Sequence, residues 1–197
     1  MEAFCYYESM SIICITGHPG TGKSTILQVL TKLGYVAYGI DEEKAASYYD
    51  LNTDAPSVSI PLGIDRNLEW RNTNVWMIDI NKVRSLPLAK GSSHTFIFCN
   101  GYNVEDVWNY CDEVIILTLN DEDTRLRLTS RTSNSFGSHP GELELAEQMG
   151  RVIYDKSKKY PQNKIHYINT AQNLDDIVNE ILGIANKDSA KYTKLAH

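Results

Sequence analysis

Short apolar runs of strand length alternate, along most of this chain, with stretches whose apolar residues recur at helical spacing. The run Ser11-Ile12-Ile13-Cys14-Ile15-Thr16 has no polar-facing side, which predicts a strand buried on both faces. Further strands are predicted at 35–40, 95–99, 113–119 and 164–169, each bounded by polar or glycine residues. After the first strand, Ile26, Val29, Leu30 and Leu33 share a helical face that ends at Gly34. Other helices are predicted at 104–110 behind an Asn103 cap, 121–131 behind Asn120, 140 to 159, and 174–182 behind Asn173. Apolar strands alternating with helices predict an α/β protein, a three-layer α/β/α sandwich around a five-stranded parallel sheet, because right-handed crossovers carry helices onto both faces. Ligands of such sheets bind beyond the carboxyl ends of the strands, where Gly17, Asp41 and Asn100 all fall.

Two stretches break the alternation: 44–91, rich in Asn, Tyr and Trp, and 132–141, rich in Ser, Gly and Pro. Long decorated connections of this kind are expected to be insertions over the site. With 197 residues, 42% of them hydrophobic, the chain can bury one sizeable core. A single domain over 1–185 is therefore expected, followed by a loose polar tail at 186–197. A net charge of −6 excludes a general nucleic-acid or membrane-surface binder and favours a small-molecule partner. Cys5, Cys14, Cys99 and Cys111 have no C-x-x-C spacing and read as reduced thiols, which with the lack of a signal-peptide pattern or transmembrane run points to the cytoplasm. The five histidines are scattered, so no structural zinc is expected. The oligomeric state is left open.

The strongest chemical signal is Gly17-His18-Pro19-Gly20-Thr21-Gly22-Lys23-Ser24, a complete G-x-x-x-x-G-K-[ST] (Walker A) phosphate loop between the first strand and the first helix. Its backbone N–H groups can curl around phosphates, Lys23 can reach the outer phosphate oxygens, and Ser24 can hold Mg²⁺. A guanine-reading N-K-x-D is lacking, since Asn81-Lys82-Val83-Arg84 and Asn186-Lys187-Asp188-Ser189 both depart from it. The acidic cluster Asp41-Glu42-Glu43 follows Lys23 by only eighteen residues, at the end of the next strand. An acid there suits contact with an acceptor hydroxyl or the metal better than polarising a hydrolytic water, so kinase chemistry fits best.

These motifs resemble those of the small P-loop kinases of the adenylate kinase, shikimate kinase and gluconate kinase group, over roughly residues 11–184. The loop through Thr25 is similar to their G-x-P-G-x-G-K-[GS]-T variant, and Asp41-Glu42-Glu43-Lys44 resembles their Asp-x-x-Arg with lysine for arginine. The resemblance implies ATP and Mg²⁺, a nucleoside-monophosphate-kinase type of fold with a lid at 127–151, and an acceptor-binding region at 44–91. It implies that Asp41 contacts both acceptor and metal; the alternative is helix N-capping, with Glu42 and Glu43 as first-turn acids. Lys44 would bind an acceptor phosphate or be a solvated helix lysine. Phe98-Cys99-Asn100-Gly101-Tyr102 resembles apolar-Asp-Gly-aromatic, with Asn100 where aspartate is usual. Arg127 and Arg131 resemble the R-x-x-x-R that leads into the lid and would stabilise the transferring phosphoryl with Lys23; the alternative is a solvated stripe paired with Asp121 and Asp123. Arg151 would be the returning lid arginine. Arg66, Trp70, Arg71 and Trp76 would line an acceptor pocket or belong to the core. The implied function is Mg-ATP-dependent phosphoryl transfer to a nucleoside, nucleoside monophosphate or sugar-like alcohol; the alternative is a non-catalytic or slowly hydrolysing nucleotide-binding switch.

Overall fold

A computed structural model describes residues 11–61, 67–90, 94–131, 136–139 and 141–193, apart from the side chains of 68 and 188–193. The amino-terminal half runs β1 (Ile12–Thr16), α1 (Lys23–Lys32), β2 (Val36–Gly39), β3 (Ala46–Asp50), β4 (Ala55–Pro56), α2 (Leu68–Thr73), β5 (Asn74–Ile78) and α3 (Ile80–Arg84). It continues through β6 (Thr95–Cys99), α4 (Val104–Trp108), β7 (Glu113–Thr118), α5 (Asp121–Ser130) and α6 (Glu142–Lys158). A 3-10 turn (Gln162–Lys164) then leads into β8 (Ile165–Asn169) and α7 (Leu174–Thr193).

The five predicted strands form one sheet in the order β2-β6-β1-β7-β8. Every pairing in it is parallel. Alternation along β1 explains why its sequence is apolar throughout. Cys14 packs with Trp108, Val107 and Ile153 on the face covered by α3, α4 and α6, whereas Ile13 and Ile15 pack with Ile26, Leu30 and Ile181 under α1 and α7. Each fully buried side chain of this size is worth roughly 1.5–3 kcal/mol of transfer free energy, so the two clusters hold the sheet between its helical layers.

Three features differ from the sequence-based expectation. No helix follows β2. Instead residues 40–44 form a turn in which the Glu43 N–H donates to Gly39 O (2.9 Å) and Ala45 N–H to Ile40 O (2.8 Å). Lys44 adopts a left-handed φ of 52° there. Helix N-capping by Asp41, the first-turn role of Glu42 and Glu43, and the helical placing of Lys44 are thereby corrected. The turn feeds a second, antiparallel sheet in the order β4-β3-β5 within the 44–91 insertion. Its members 46–50 and 74–78 mix polar and aromatic residues, so neither a buried-strand run nor clean alternation marked them.

Secondly, Asn103 does not cap α4. Its amide donates to Ile78 O (3.0 Å) and its carbonyl accepts from Ile78 N (2.8 Å), so it pairs with β5 as a neighbouring strand would. Thirdly, α7 carries the backbone of 186–193 as helix, where a loose tail was expected. No described helix is long and apolar enough to cross a membrane.

Candidate active site

The phosphate loop sits where β1 hands the chain to α1. Gly20 and Gly22 have φ of 95° and 89°, a region that L side chains rarely adopt, which is why glycine occupies these corners. Thr21 Oγ1 donates to His18 O (2.8 Å) and ties the loop across itself. Lys23 Nζ donates to Gly17 O (2.5 Å) and His18 O (3.1 Å), the two carbonyls at the loop's start. His18 is buried, its Nδ1 lies 2.8 Å from Pro19 O, and a Cβ at Gly150 of α6 would come within 2.9 Å of its ring. Burial pushes its pKa down, so the ring is a neutral packing element. Lys23 is lowered to about 8, first by desolvation, against the opposing pull of Asp41 and Cys99, with Arg131 adding to the depression.

Beyond the loop lies a cavity of about 1020 Å³, at the upper end of the range for small-molecule sites, lined by loop residues 19–25 together with Asp41, Arg71, Asn100, Arg127 and Arg131. Asp41 projects from the turn after β2, and Trp76 Nε1 on β5 donates to its Oδ1 (3.0 Å). Trp76 is itself packed edge-on against Tyr48, whose other neighbour is Trp70 (centroids 4.9 and 4.8 Å). The second sheet therefore builds the wall that orients the carboxylate. At the end of β6, Gly101 lets β5 approach closely: a Cβ there would meet Ile78 Cγ1 at 2.7 Å and Trp76 O at 3.0 Å. The Tyr102 N–H donates to Trp76 O (2.8 Å) across the same junction.

The arginines separate into distinct environments. Arg127 donates to Thr170 O (2.6 Å) and, more loosely, to Gly20 O (3.5 Å), pinning the phosphate loop to the turn after β8. Arg131 donates to Phe136 O (2.6 Å) and keeps a buried Nε with no hydrogen-bond partner among the described residues. Desolvation lowers its pKa, opposed by Glu142. Arg71 forms an ion pair with Glu142 at 3.0 Å, with the two side chains only 10% and 6% exposed. Glu142 also accepts from the N–H groups of Gly137 (2.7 Å) and His139 (3.2 Å), and Phe136 lies beneath both Arg71 and Arg131 (5.7 and 5.8 Å).

Two residues expected at the acceptor do not line the cavity. Lys44 is exposed on its turn. Arg151 is 70% exposed and faces Asp121 and Glu147 at 3.7 Å, because its helical position turns it towards α5. Arg66 lies outside the described residues. Lys156, five residues further along α6 and so on a different face, does reach the cavity, donating to Tyr102 O and Glu105 Oε2 at 2.5 Å each.

Sequence reasoning missed Glu142, Phe136, Tyr48 and Thr170. Glu142, three residues past His139, carried a legible signal: an acid at the start of a predicted helix, beside a Ser-Gly-rich connection. The others are marked only by tertiary contact. For a divalent cation, Ser24 and Asp41 are hard oxygen donors on the same cavity. Among the described residues no cluster of three or more His, Cys, Asp and Glu could hold a metal. The donor set therefore fits Mg²⁺, which takes one or two carboxylates plus water and phosphate oxygens rather than an all-protein cage.

The profile of a family described as an AAA domain matches residues 13–150. None of the curated proteins matches the chain. Among solved structures it is similar to a gluconokinase from Sinorhizobium meliloti 1021, at 18% identity over 95% of this chain and 98% of that one, with TM-score 0.53. A shikimate kinase from Acinetobacter baumannii in complex with shikimate is 15% identical over 92% and 96%, with TM-score 0.56. A deoxyadenosine kinase from M. mycoides with bound dATP is 14% identical over 89% and 99%, with TM-score 0.51. At such identities the likeness is one of fold.

Proposed function

Since this chain belongs to the AAA-domain family over residues 13–150 and has the build of a small P-loop nucleotide-kinase-like protein, we propose that it transfers the terminal phosphoryl group of Mg-ATP to the hydroxyl of a small acceptor. The observation that carries this reading is the placing of Lys23 and Asp41 on one cavity, close enough that the carboxylate raises the lysine pKa against desolvation. The loop amides and Lys23 hold the triphosphate, and Arg131, with its unpartnered Nε, neutralises charge that spreads over the transferring group. Arg127 braces the loop against Thr170 and is a positioning residue in this scheme. Ser24 and Asp41 would hold Mg²⁺, which supplies charge neutralisation at the phosphate oxygens.

Asp41 Oδ1 is held by Trp76, so its second oxygen is left to orient the acceptor hydroxyl and take its proton. The acceptor oxygen bonds to the γ phosphorus, the bond from that phosphorus to the bridging oxygen breaks, and ADP leaves with the electron pair. Buried, unpaired thiols at Cys14, Cys99 and Cys111 support work in a reducing compartment, and the net charge of −6 supports a small-molecule partner. One chain segment, 1–185, serves as the catalytic domain, with 44–91 at the acceptor and 127–151 as lid.

Coupled ADP-release assays over an acceptor panel test the reading. Asp41→Asn is expected to abolish acceptor-dependent turnover while the affinity for ATP without Mg²⁺ at pH 7 changes less than about twofold, because the carboxylate would serve the metal and the reacting hydroxyl rather than the phosphates. If ATP binds but no acceptor raises turnover above slow hydrolysis, the kinase reading fails. A nucleotide-binding switch is then preferred. Asn100 favours that alternative, since an amide at this strand end brings no negative charge to a cation.

A further inference from the structure

The cavity has a second half, away from the phosphate loop, whose chemistry limits what it can hold. One face of α6 forms its floor: Glu142, Leu145, Met149, Val152 and Lys156 recur at helical spacing, and all but Glu142 line the cavity. The fourteen helical steps from Glu142 to Lys156 rise about 21 Å, and an ion pair closes each end. Arg71 pairs with Glu142 at one end, and Lys156 with Glu105 at the other. Among the described residues, the two cations at the ends of this floor are thus already engaged by carboxylates of the protein, while Arg131 stands at the border with the Lys23 side. An anionic acceptor would have to compete with these carboxylates, and parting the nearly buried Arg71–Glu142 pair costs several kcal/mol.

The groups left open here are neutral. Asn72, Asn100 and Gln148 line the cavity, and among the described residues none of their side chains hydrogen-bonds within the protein. Beside them stand the rings of Tyr48, Trp76, Tyr102 and Phe136. A carboxamide offers two donors and an acceptor in one plane, which matches the hydrogen-bonding edge of a heterocyclic base, and aromatic rings supply stacking faces for it.

We propose that the acceptor is an unphosphorylated nucleoside: a neutral molecule whose planar base lies between the Tyr48/Trp76 wall and α6, read by Asn72 and Gln148, with a sugar hydroxyl directed at Asp41. Nucleoside monophosphates and sugar acids are disfavoured by the engaged cations. The hydroxyl chemistry rests on the kinase reading above; the binding does not.

Equilibrium dialysis separates the two. The donor half is saturated with a non-hydrolysable ATP analogue, and the four common ribonucleosides, their 5′-monophosphates and gluconate are then titrated. At least one nucleoside is expected to bind tenfold or more tightly than its own monophosphate and than gluconate. Gln148→Leu and Asn72→Leu, both at exposed positions that do not threaten the fold, are each expected to weaken that nucleoside at least tenfold while leaving the ATP analogue unaffected. Tighter binding of a monophosphate or of gluconate, or no nucleoside binding below millimolar concentration, overturns the proposal and leaves phosphoryl transfer standing. A nucleoside that binds as expected but is never phosphorylated supports the site and refutes the kinase reading.

Discussion

Lys23 ties the loop's electrostatics to a measurable proton. Its ammonium, ordinarily near 10.5, is lowered to about 8 because desolvation outweighs the attraction of Asp41. In the free protein at pH 8.5, roughly three quarters of Lys23 is therefore neutral. A bound triphosphate puts several negative charges against the amine and restores its proton. Binding at pH 8.5 is then expected to take up about 0.7 proton, and affinity to fall about fourfold between pH 7 and 8.5 and a further ~eightfold by pH 9.5. The sign for stability is opposite. Between the folded value near 8 and the unfolded value near 10.5 the unfolded chain binds more protons, so the destabilisation from burying this charge is complete below pH 8 and is relieved as pH rises through that window. Calorimetric titration of inorganic tripolyphosphate in two buffers of different ionisation enthalpy reads the proton directly. Lys23→Met should lose the uptake, and Lys23→Arg should bind with little pH dependence. An uptake below about 0.2 proton at pH 8.5, or an equal uptake in Lys23→Met, would refute the argument.

The nearly buried Arg71–Glu142 pair predicts strong coupling between α2 and α6. Glu142→Leu removes the carboxylate that faces the Arg71 guanidinium and strips an acceptor from Gly137 and His139, so urea denaturation should show a loss of about 3–5 kcal/mol. Arg71→Met should lose a similar amount, and the double variant should fall short of the sum by about 2–3 kcal/mol; simple additivity within ~0.5 kcal/mol would mean that the pair does not interact. At the β5–β6 junction, Gly101→Ala would place a methyl 2.7 Å from Ile78 Cγ1 and 3.0 Å from Trp76 O. Pushing β5 outward moves Trp76 from Asp41, so acceptor-dependent kcat is expected to fall tenfold or more while tripolyphosphate affinity is unchanged; equal losses in both would show that the damage is global.

How far the site could be read in advance varied with the range of the interactions involved. The phosphate loop was legible because its requirements are local: positive-φ glycines, an amine and a hydroxyl at set positions, a buried strand before and a helix after. The parallel sheet was legible because its central strands, β1, β6 and β7, are covered on both faces and so are mainly apolar. Asp41 lies on the cavity, where its position at a strand end put it, but the element after it was misjudged. Asp-Glu-Glu-Lys reads equally well as a helix start and as a turn, and the hydrogen bonds of residues 39–45 made it a turn.

What the amino-acid sequence determined by itself was the phosphate-loop half of the cavity: a strand, a loop and a helix whose pattern is written in consecutive residues. Tertiary structure alone decided the half beyond it. Trp76 meets Asp41 across 35 positions, Arg71 meets Glu142 across 71, and Arg127 meets Thr170 across 43. It also sorted the cations, turning Arg151 out to solvent, engaging Arg71 and Lys156 with carboxylates, and tying Arg131 to Phe136 O on the same cavity as Lys23. The physical reason is that periodicity and turn chemistry act over a few residues. Which charge is neutralised, and which is left for a ligand, depends on partners that only the packed fold brings within hydrogen-bonding distance.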